Sequence, residues 1–580
     1  MATTSELSRV TSIVLRFMRR PLLVLVAVYA VAIVGMVAMP GQDAQGNPTH
    51  MSFFHAFYFL TYTATTTGFG ELPHAFTDAQ RMWAIVCLYM SVIAWIYAIG
   101  SIIRVVQNPY FQQAVAEHGF SRSVKRIAEP FFIICGFGDT GSLLTRGLND
   151  SGYTAVIIDN DSERIKALAL RDYRKTMPGL CADASVPKHL IDAGVKQPNC
   201  RAVVALTHDE DTNFKIAVMG RLLNPSVRVV CLATTRRRGE YVEALGGVEI
   251  MDPFDAFAKW LGTALYAPLL HTLKHWLIGA PGFSLDKPLC PPMGTWILCG
   301  YGRMGQSLRE ALQAHGVRTM VIDPDMEGAE DIPEEEKVWG YANAETLRQA
   351  GLLQAVGVIA ATDSDSDNLG TLVSARSLNP NVCIIVRQNQ HENEVAFQAA
   401  NADLIMQPSL ITARNMLFEL ISPLIQTFLD YVREHHETLL DDVTNQIKTT
   451  LGGQPPHLWT AKISAANARA VTMLRKQRHT VTIGDIMRDP LDREHHLACV
   501  PLVLVRDHAN VVMPDPSQAL KARDEVLFCG TKRAERQIDA TLNNEYTLRY
   551  LVTGVQEPRG YVVKWFTHKL SDGHTATLQR

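Results

Sequence analysis

The sequence predicts an α-helical membrane domain, then two α/β units of the doubly wound kind, then a small α+β carboxyl lobe. Three observations carry this. Two uncharged apolar runs lie within the first 103 residues. A unit of roughly 145 residues then occurs twice, too long for a solenoid repeat and the right size for a duplicated domain. Each copy alternates short β-branched runs with helical stretches. The expected boundaries are 1–106 for the membrane domain, 107–129 for a polar linker, 130–280 and 294–432 for the two α/β units, and 433–580 for the carboxyl lobe. The net charge is only −3 and the hydrophobic fraction 47%, so no broad basic surface is available and no nucleic-acid partner is expected. The ten cysteines are scattered singly without a C-x-x-C pair, which fits reduced, buried thiols in a cytosolic body rather than a structural zinc.

The first run, Leu22 to Met39, carries no charge and spans about 27 Å as a helix, enough to cross a bilayer. It is long for the apolar region of a cleaved signal peptide, and a second span, Met82 to Ile103, follows it. Between them Met51 to Thr65 is aromatic and apolar but too short to cross, which predicts a re-entrant half-span. Arg9, Arg16, Arg19 and Arg20 precede the first span and Arg104, Arg122, Lys125 and Arg126 follow the second. Only Arg81 lies between. Positive charge stays on the cytoplasmic side, so both termini of this multi-pass protein are expected there.

The half-span runs into Thr66-Thr67-Gly68-Phe69-Gly70-Glu71. This stretch resembles the selectivity filter of a potassium channel, and the half-span its pore helix. A filter replaces an ion's hydration shell with backbone carbonyls aimed at one axis, and Gly68 and Gly70 can take the positive φ values this requires. The resemblance implies that Thr66, Thr67, Gly68, Phe69 and Gly70 hold K+, with the Thr66 hydroxyl adding one oxygen, and that Glu71 faces outward. A surface turn rich in threonine and glycine is the alternative for the hexapeptide alone. The pattern departs from the family's commonest form at Thr67, usually apolar, and at Phe69, often tyrosine, whose absent hydroxyl removes an anchor to the pore helix. One such unit encloses no pore, and the family implies a homotetramer. Gly100, near the inner end of the second span, is a candidate gating hinge; a small residue for helix packing is the preferred reading.

In the repeat, Phe132 to Gly141 (FIICGFGDTG) matches Trp296 to Gly305 (WILCGYGRMG), and Val156 to Asp159 matches Met320 to Asp323, all at an offset of 164. Thr207 with Thr362, Asn213 with Asn368, Asn224-Pro225 with Asn379-Pro380, and Pro268 with Pro423 match at an offset of 155. FFIIC, TAVIID, RAVVALT and VRVVCLA are expected as buried parallel strands, with TWILC, RTMVID, GVIAAT and VCIIV as their counterparts. Asp252 to Leu277 and Gln407 to Val432 are expected as long apolar helices buried against a partner subunit or domain, since Lys259, Lys274 and Glu419 interrupt them. Beyond Arg433, strands are expected at His479–Val481, Cys499–Arg506, Val511–Met513 and Glu525–Gly530.

Each copy places G-x-G-x-x-G between a strand and a helix, with an aspartate 23 residues after its first glycine. In register and twice over, this predicts a Rossmann-like dinucleotide fold. The candidate residues are Gly136, Phe137, Gly138, Asp139, Thr140, Gly141, Asp159, Asp183 and Thr207 in the first cup, and Gly300, Tyr301, Gly302, Arg303, Met304, Gly305, Asp323, Asn343 and Thr362 in the second. The glycines let a pyrophosphate approach the helix N-terminus, whose N–H groups and dipole favour an anion. Asp159 and Asp323 can accept hydrogen bonds from ribose hydroxyls and would repel a 2′-phosphate, which favours NAD, NADH or ADP/ATP over NADP.

The soluble part is similar to two RCK domains, regulators of potassium conductance related to the TrkA-N nucleotide-binding subunits of Trk transport systems, with an RCK-like carboxyl lobe. The resemblance implies eight RCK domains in a tetrameric gating ring, coupled to the pore through Val105 to Glu129, and an arginine near the phosphates, here Arg303. The first copy departs from this with Asp139, and its Ala-Asp183-Ala motif becomes Ala-Asn343-Ala in the second. The second cup is therefore expected to be the principal nucleotide site. His208 to Asp211, and Asp363, Asp365 and Asp367, could hold a hard cation such as Ca2+, but lack the glycine and terminal glutamate of an EF-hand, and a loop capping the next helix is preferred. Arg236-Arg237-Arg238 is expected as a solvated basic turn, and His271 and His275 as packed residues rather than metal ligands. The resulting expectation is a nucleotide-gated, potassium-selective channel of the prokaryotic plasma membrane. A membrane-anchored NAD-dependent oxidoreductase and a regulatory subunit of a potassium transporter are the alternatives.

Overall fold

The computed structural model describes residues 2–43, 45–233, 246–277, 285, 290–326, 329–330, 332–452, 456–507 and 509–556. The chain falls into two compact units, one of residues 1–133, 156–172 and 176–201, the other of residues 134–155, 173–175 and 202–580.

In the first unit, α1 (Ala2–Ala38) begins well before the apolar run, which occupies its second half. A short hairpin, β1 (Pro40–Gln42) with β2 (Pro48–His50), leads to the half-span α2 (Phe53–Ala64). The second span is α3 (Asp78–Val106), started by a Thr77–Gln80 capping box. α1 and α3 pack together, with Trp83 Nε1 donating to the Ala32 carbonyl at 3.1 Å.

The expected polar linker is a helix. Pro109 cannot continue α3, because it lacks an N–H and its ring crowds the carbonyl four residues back. The Asn108 side chain instead accepts from the N–H groups of Tyr110 and Phe111 and starts α4 (Pro109–Lys125). Phe120 and Val124 are buried, and α4 lies against the nucleotide-fold elements β5 (Gly179–Cys181) and α7 (Pro187–Asp192). Glu117 of α4 accepts from Lys188 of α7, and Asn199 Nδ2 donates to the carbonyls of Ile127 and Glu129 at 2.9 Å each.

The first α/β sheet comprises β3 (Phe131–Cys135), β4 (Thr154–Asp159), β5, β6 (Cys200–Ala205), β7 (Arg228–Leu232) and β8 (Val248–Met251), in the order β5-β4-β3-β6-β7-β8. Its helices α5 (Asp139–Asp150), α6 (Ser162–Leu170), α7 and α8 (Glu210–Leu223) alternate with the strands. The second sheet repeats the plan with β9 (Trp296–Cys299), β10 (Thr319–Asp323), β11 (Lys337–Trp339), β12 (Gly357–Ala360), β13 (Cys383–Arg387) and β14 (Leu404–Met406). Its order is β11-β10-β9-β12-β13-β14, all parallel, the doubly wound 3-2-1-4-5-6 order. Its helices are α11 (Arg303–Ala314), α12 (Ala344–Gln349), α13 (Asp365–Leu378) and α14 (Glu394–Ala399).

The two expected long helices are each broken in two by a proline: α9 (Pro253–Tyr266) and α10 (Pro268–Leu277), then α15 (Pro408–Ile421) and α16 (Pro423–Glu434). They are exchanged between the duplicated domains. α9 packs on α11, burying Phe257 and Leu261 with Met304 and Leu308, and α15 packs on α5, where a Cβ on Gly147 would lie 2.5 Å from Leu417. α10 and α16 share a core with α17 (His436–Leu451) and the carboxyl lobe, through residues such as Leu273, Phe428, Ile447 and Leu527.

The lobe is an antiparallel sheet of β15 (His457–Lys462), β20 (Glu525–Gly530), β18 (Cys499–Arg506) and β19 (Ala509–Val512), in that order. It adds helices α18 (Arg469–Lys476), α19 (Ile483–Met487), α20 (Lys532–Asn543) and α21 (Glu545–Thr553), and a two-stranded ribbon of β16 (Arg488–Asp489) with β17 (Asp492–His496). His479–Val481 is not a strand. Thr482 makes one isolated bridge to Ala519, then caps α19 with its hydroxyl, so pairing cannot extend.

In both sheets a buried asparagine ties together the carboxyl ends of the fourth and fifth strands. Asn368 Oδ1 accepts from the N–H and hydroxyl of Thr362, while its Nδ2 donates to the carbonyls of Thr362 and Arg387. Asn213 does the same with Thr207 and Leu232. Asn368→Ala and Asn213→Ala are expected to cost about 1–3 kcal/mol for each buried group left unpaired. Thermal unfolding of the solubilised protein should show each variant melting several degrees below the parent.

Candidate functional site

Two candidate sites are built from these elements, the candidate filter at the end of α2 and the paired cups at the carboxyl ends of the strands. The C-terminus of α2 runs directly into Thr66, with Thr67 N–H bonded to the Tyr62 carbonyl at 2.8 Å. The negative end of that helix faces the filter and favours a cation there. Along the filter φ is positive at Thr66 (58°), Gly68 (69°) and Gly70 (89°), and at neither Thr67 nor Phe69. Residues of alternating hand turn successive peptide planes the same way, which is how a strip of backbone presents carbonyls on one side. Tyr62 of α2 donates its hydroxyl to the Gly70 carbonyl at 2.5 Å. The tether missing at Phe69 is thus supplied from the pore-helix side. Phe69 lies 5.5 Å from the Tyr62 ring and 6.3 Å from that of Tyr58. Just beyond Gly70, Glu71 takes two bonds from Arg81, at 2.9 and 3.2 Å, and one from Phe76 N–H. Gly100 lies within the unbroken α3, where an added Cβ would meet nothing within 4 Å among the described residues.

In the second cup Gly300 has φ +101°, and a Cβ on Gly305 would stand 2.1 Å from the Gly300 carbonyl oxygen, so the turn can close only with glycine there. Gly302 is open: its φ is −65°, and a Cβ would meet nothing within 4 Å among the described residues. The Asp323 carboxylate accepts from Tyr301 N–H at 2.6 Å and Asp325 N–H at 2.7 Å, so it holds the glycine loop as well as facing the cup. The Tyr301 and Met304 side chains are buried in the core with α9, which leaves their backbones to line the loop. Arg303 opens α11 with an exposed side chain, 3.6 Å from Glu210 of α8, its guanidinium 5.2 Å from the ring centre of Phe254. Asn343 caps α12, accepting from Glu345 and Thr346 N–H groups.

The first cup has the same loop. Gly136 has φ +105°, and a Cβ on Gly141 would lie 2.1 Å from the Gly136 oxygen. Phe137 is buried, Gly138 is the N-cap, and Asp139 and Thr140 open α5, with Asp139 exposed. Asp159 is buried at the end of β4, accepts from Asp161 N–H at 2.8 Å, and has Arg164 at 3.7 Å, a cation that sequence reasoning missed. Asp183 accepts from Ser185 N–H, and its carbonyl accepts from His189 Nδ1.

The other candidates resolve simply. Asp209 caps α8, and Asp365 accepts four bonds from Asn389, Gln390 and Asn393. Among the described residues no three His, Cys, Asp or Glu side chains gather as a metal site. His271 and His275 are buried beside Trp260, their rings 4.6 Å apart, and burial pushes them down to about 3 and about 2. Arg236-Arg237-Arg238 lies outside the described residues. Sequence reasoning also missed Arg387, Phe254 and Glu210 around the second cup. The 155-residue offset could have exposed Arg387, since it pairs that residue with Leu232.

Fold and sites together define a membrane protein in which a two-span channel segment precedes two nucleotide-fold domains. Residues 21–108 match the ion channel family, and residues 132–253 and 296–408 each match the TrkA-N domain. The chain has the domain arrangement of a potassium channel with RCK domains. It is 28% identical over 156 residues to probable potassium channel protein 2 of Methanocaldococcus jannaschii, covering 24% of this chain and 44% of that one. It is 26% identical over 187 residues to the voltage-gated potassium channel Kch of Escherichia coli, covering 32% and 42%. The chain thus spans less than half the length of these curated relatives. A solved structure titled GsuK channel bound to NAD aligns with a TM-score of 0.46 at 16% identity, covering 92% of this chain and 100% of that one.

The glycine geometry makes a direct prediction. Gly305→Ala and Gly141→Ala force a Cβ against backbone and should destabilise by about 1–3 kcal/mol, the usual range for overpacking. Gly302→Ala, with open space, should melt within about 0.5 kcal/mol of the parent, as surface changes do.

Proposed function

We propose that the protein is a potassium-selective channel, assembled from four chains in a prokaryotic plasma membrane, with both termini cytoplasmic and a gate biased by adenine nucleotide at its RCK domains. The observation that carries the pore reading is the alternation of positive φ at Thr66, Gly68 and Gly70, at the end of a half-span between two apolar helices. The names of the Methanocaldococcus and Escherichia relatives point the same way. An oxidoreductase leaves that geometry without a use.

The second cup is the principal dinucleotide site on this reading, since Arg303 stands where the first cup has Asp139. NAD or NADH is favoured, with ADP or ATP as the alternative, because an acid ends the second strand. Four chains would bring eight RCK domains to a gating ring. A ligand moves the gate only by its difference in affinity between open and closed rings, about 1.4 kcal/mol for a tenfold difference at one site. The route to the pore is α4, which ends α3 at one side and meets α7 through Glu117 and Lys188. Gly100 is the proposed flexing point of α3.

Purified protein in planar bilayers tests this. A reversal potential tracking K+ over Na+, and a current that changes with NADH, are expected; equal permeability to the two ions would overturn the pore reading. Tyr62→Phe removes the tether on Gly70 and should lower the K+ preference severalfold or shorten openings, while leaving nucleotide affinity unchanged. Glu117→Gln should keep ion selectivity and nucleotide affinity but reduce the nucleotide-evoked change in open probability severalfold, on the scale of about 1 kcal/mol for a partly exposed ion pair.

A further inference from the structure

Two guanidinium groups share one aromatic ring at the second cup. Arg303 lies 5.2 Å and Arg387 5.4 Å from the ring centre of Phe254, which belongs to α9 of the first domain. Each cation is attracted to the ring, but the two repel each other, and an arrangement that collects two cations at one place suits an anion. Arg387 ends β13 in a half-buried position. Its Nη1 reaches the Ala361 carbonyl only at 3.5 Å, and its buried Nε makes no hydrogen bond among the described residues. A guanidinium has five donors to place, and this half-buried one makes a single hydrogen bond, at 3.5 Å, among the described residues. Removal from water also lowers its pKa, with Asp363 and Asp365 opposing. The N-terminus of α11 adds N–H groups with no side-chain cap at Gly302. The corresponding positions in the first domain are Asp139 and Leu232, neither of which binds an anion.

We propose that the diphosphate of a ligand in the second cup is gripped by Arg303 and Arg387 together, and that it takes Arg303 from Glu210 of the first domain. This rests on reading the second cup as a nucleotide site. Glu210 is the first residue of α8, and its Oε1 lies 3.6 Å from Arg303 Nη1. A diphosphate offers more charge and several oxygens to the same fork of donors, so it wins the exchange. The ligand then binds at the cost of a link between the two domains of one chain, which makes Glu210 a built-in competitor and Arg387 a determinant of phosphate over bare nucleoside.

The test is calorimetric titration of the full-length solubilised protein with ADP and with adenosine. Arg303→Ala and Arg387→Leu should each weaken ADP about tenfold or more, the loss expected for one charge-assisted bond. Glu210→Gln should tighten ADP severalfold, and all three should bind adenosine like the parent. Arg387→Lys keeps the charge without the fork and should fall between parent and Arg387→Leu, which separates phosphate contact from misfolding. Unchanged ADP affinity in both Arg387→Leu and Glu210→Gln, with ADP still bound by the parent, would overturn this inference and leave the nucleotide reading standing. Equal losses for adenosine and ADP would make Arg387 a structural residue and overturn it too. A parent that binds neither compound would sink both readings.

Discussion

The body formed by the duplicated domains depends on the exchange of helices between them. Each domain sends the first helix of a proline-broken pair onto the other, α9 onto α11 and α15 onto α5, while α10 and α16 share a core with α17 and the carboxyl lobe. At roughly 25 cal/mol per Å2 of apolar surface, a single fully buried phenylalanine or leucine contributes about 1.5–3 kcal/mol, and the shared cores contain many. Small residues set the closeness of approach: Gly147 receives Leu417, and Gly262 lies against His315. The exchange also explains why the second cup is walled by residues of the first domain. Phe254 and Glu210 reach Arg303 because α9 and α8 are carried there by packing, with no special loop needed.

The membrane segment solves a different problem, since its filter must hold backbone carbonyls away from ordinary hydrogen-bonded structure. It does so with a framework on one side only. Tyr62 holds the Gly70 end, Glu71 is clamped by Arg81, and Phe69 packs among aromatic rings. Added Cβ atoms at Gly68 and Gly70 would meet nothing within 4 Å among the described residues. Many apolar residues of α1 and α3, such as Val26, Val34, Ile93 and Ile96, are likewise exposed in the single chain, as lipid-facing or subunit-facing surfaces are.

Much of the fold was legible from the sequence because its signals are local. Uncharged apolar runs mark spans, and a strand, a glycine turn, a helix and a terminal aspartate in register mark a dinucleotide fold. The linker helix was not legible, because α4 is polar in composition and its burial of Phe120 and Val124 depends on β5 and α7, far along the chain. The three-residue strands β5, β11 and β14 carry too few residues for a pattern and exist by pairing with longer neighbours. At the candidate site, the glycines and acids could be read from spacing. Phe254 could not, since an exchange of helices between domains brings it to the second cup. Asn213 and Asn368 were visible as matched positions in the repeat, yet their role as ties between strand ends follows from burial alone.

The break between α3 and α4 at Gln107 and Asn108 has a mechanical meaning. Two helices fused into one rod would transmit torque and bending from the cytosolic side straight into the membrane. A capped two-residue joint transmits mainly tension. If α4 is the coupling route proposed above, whatever α7 does to α4 would reach α3 as a pull along a tether, its direction set by where α4 is held rather than by the axis of α3. On that proposal such a drive train would tolerate changes in the angle of α3 but not slack, and the tightness of the Asn108 cap would tune the gate.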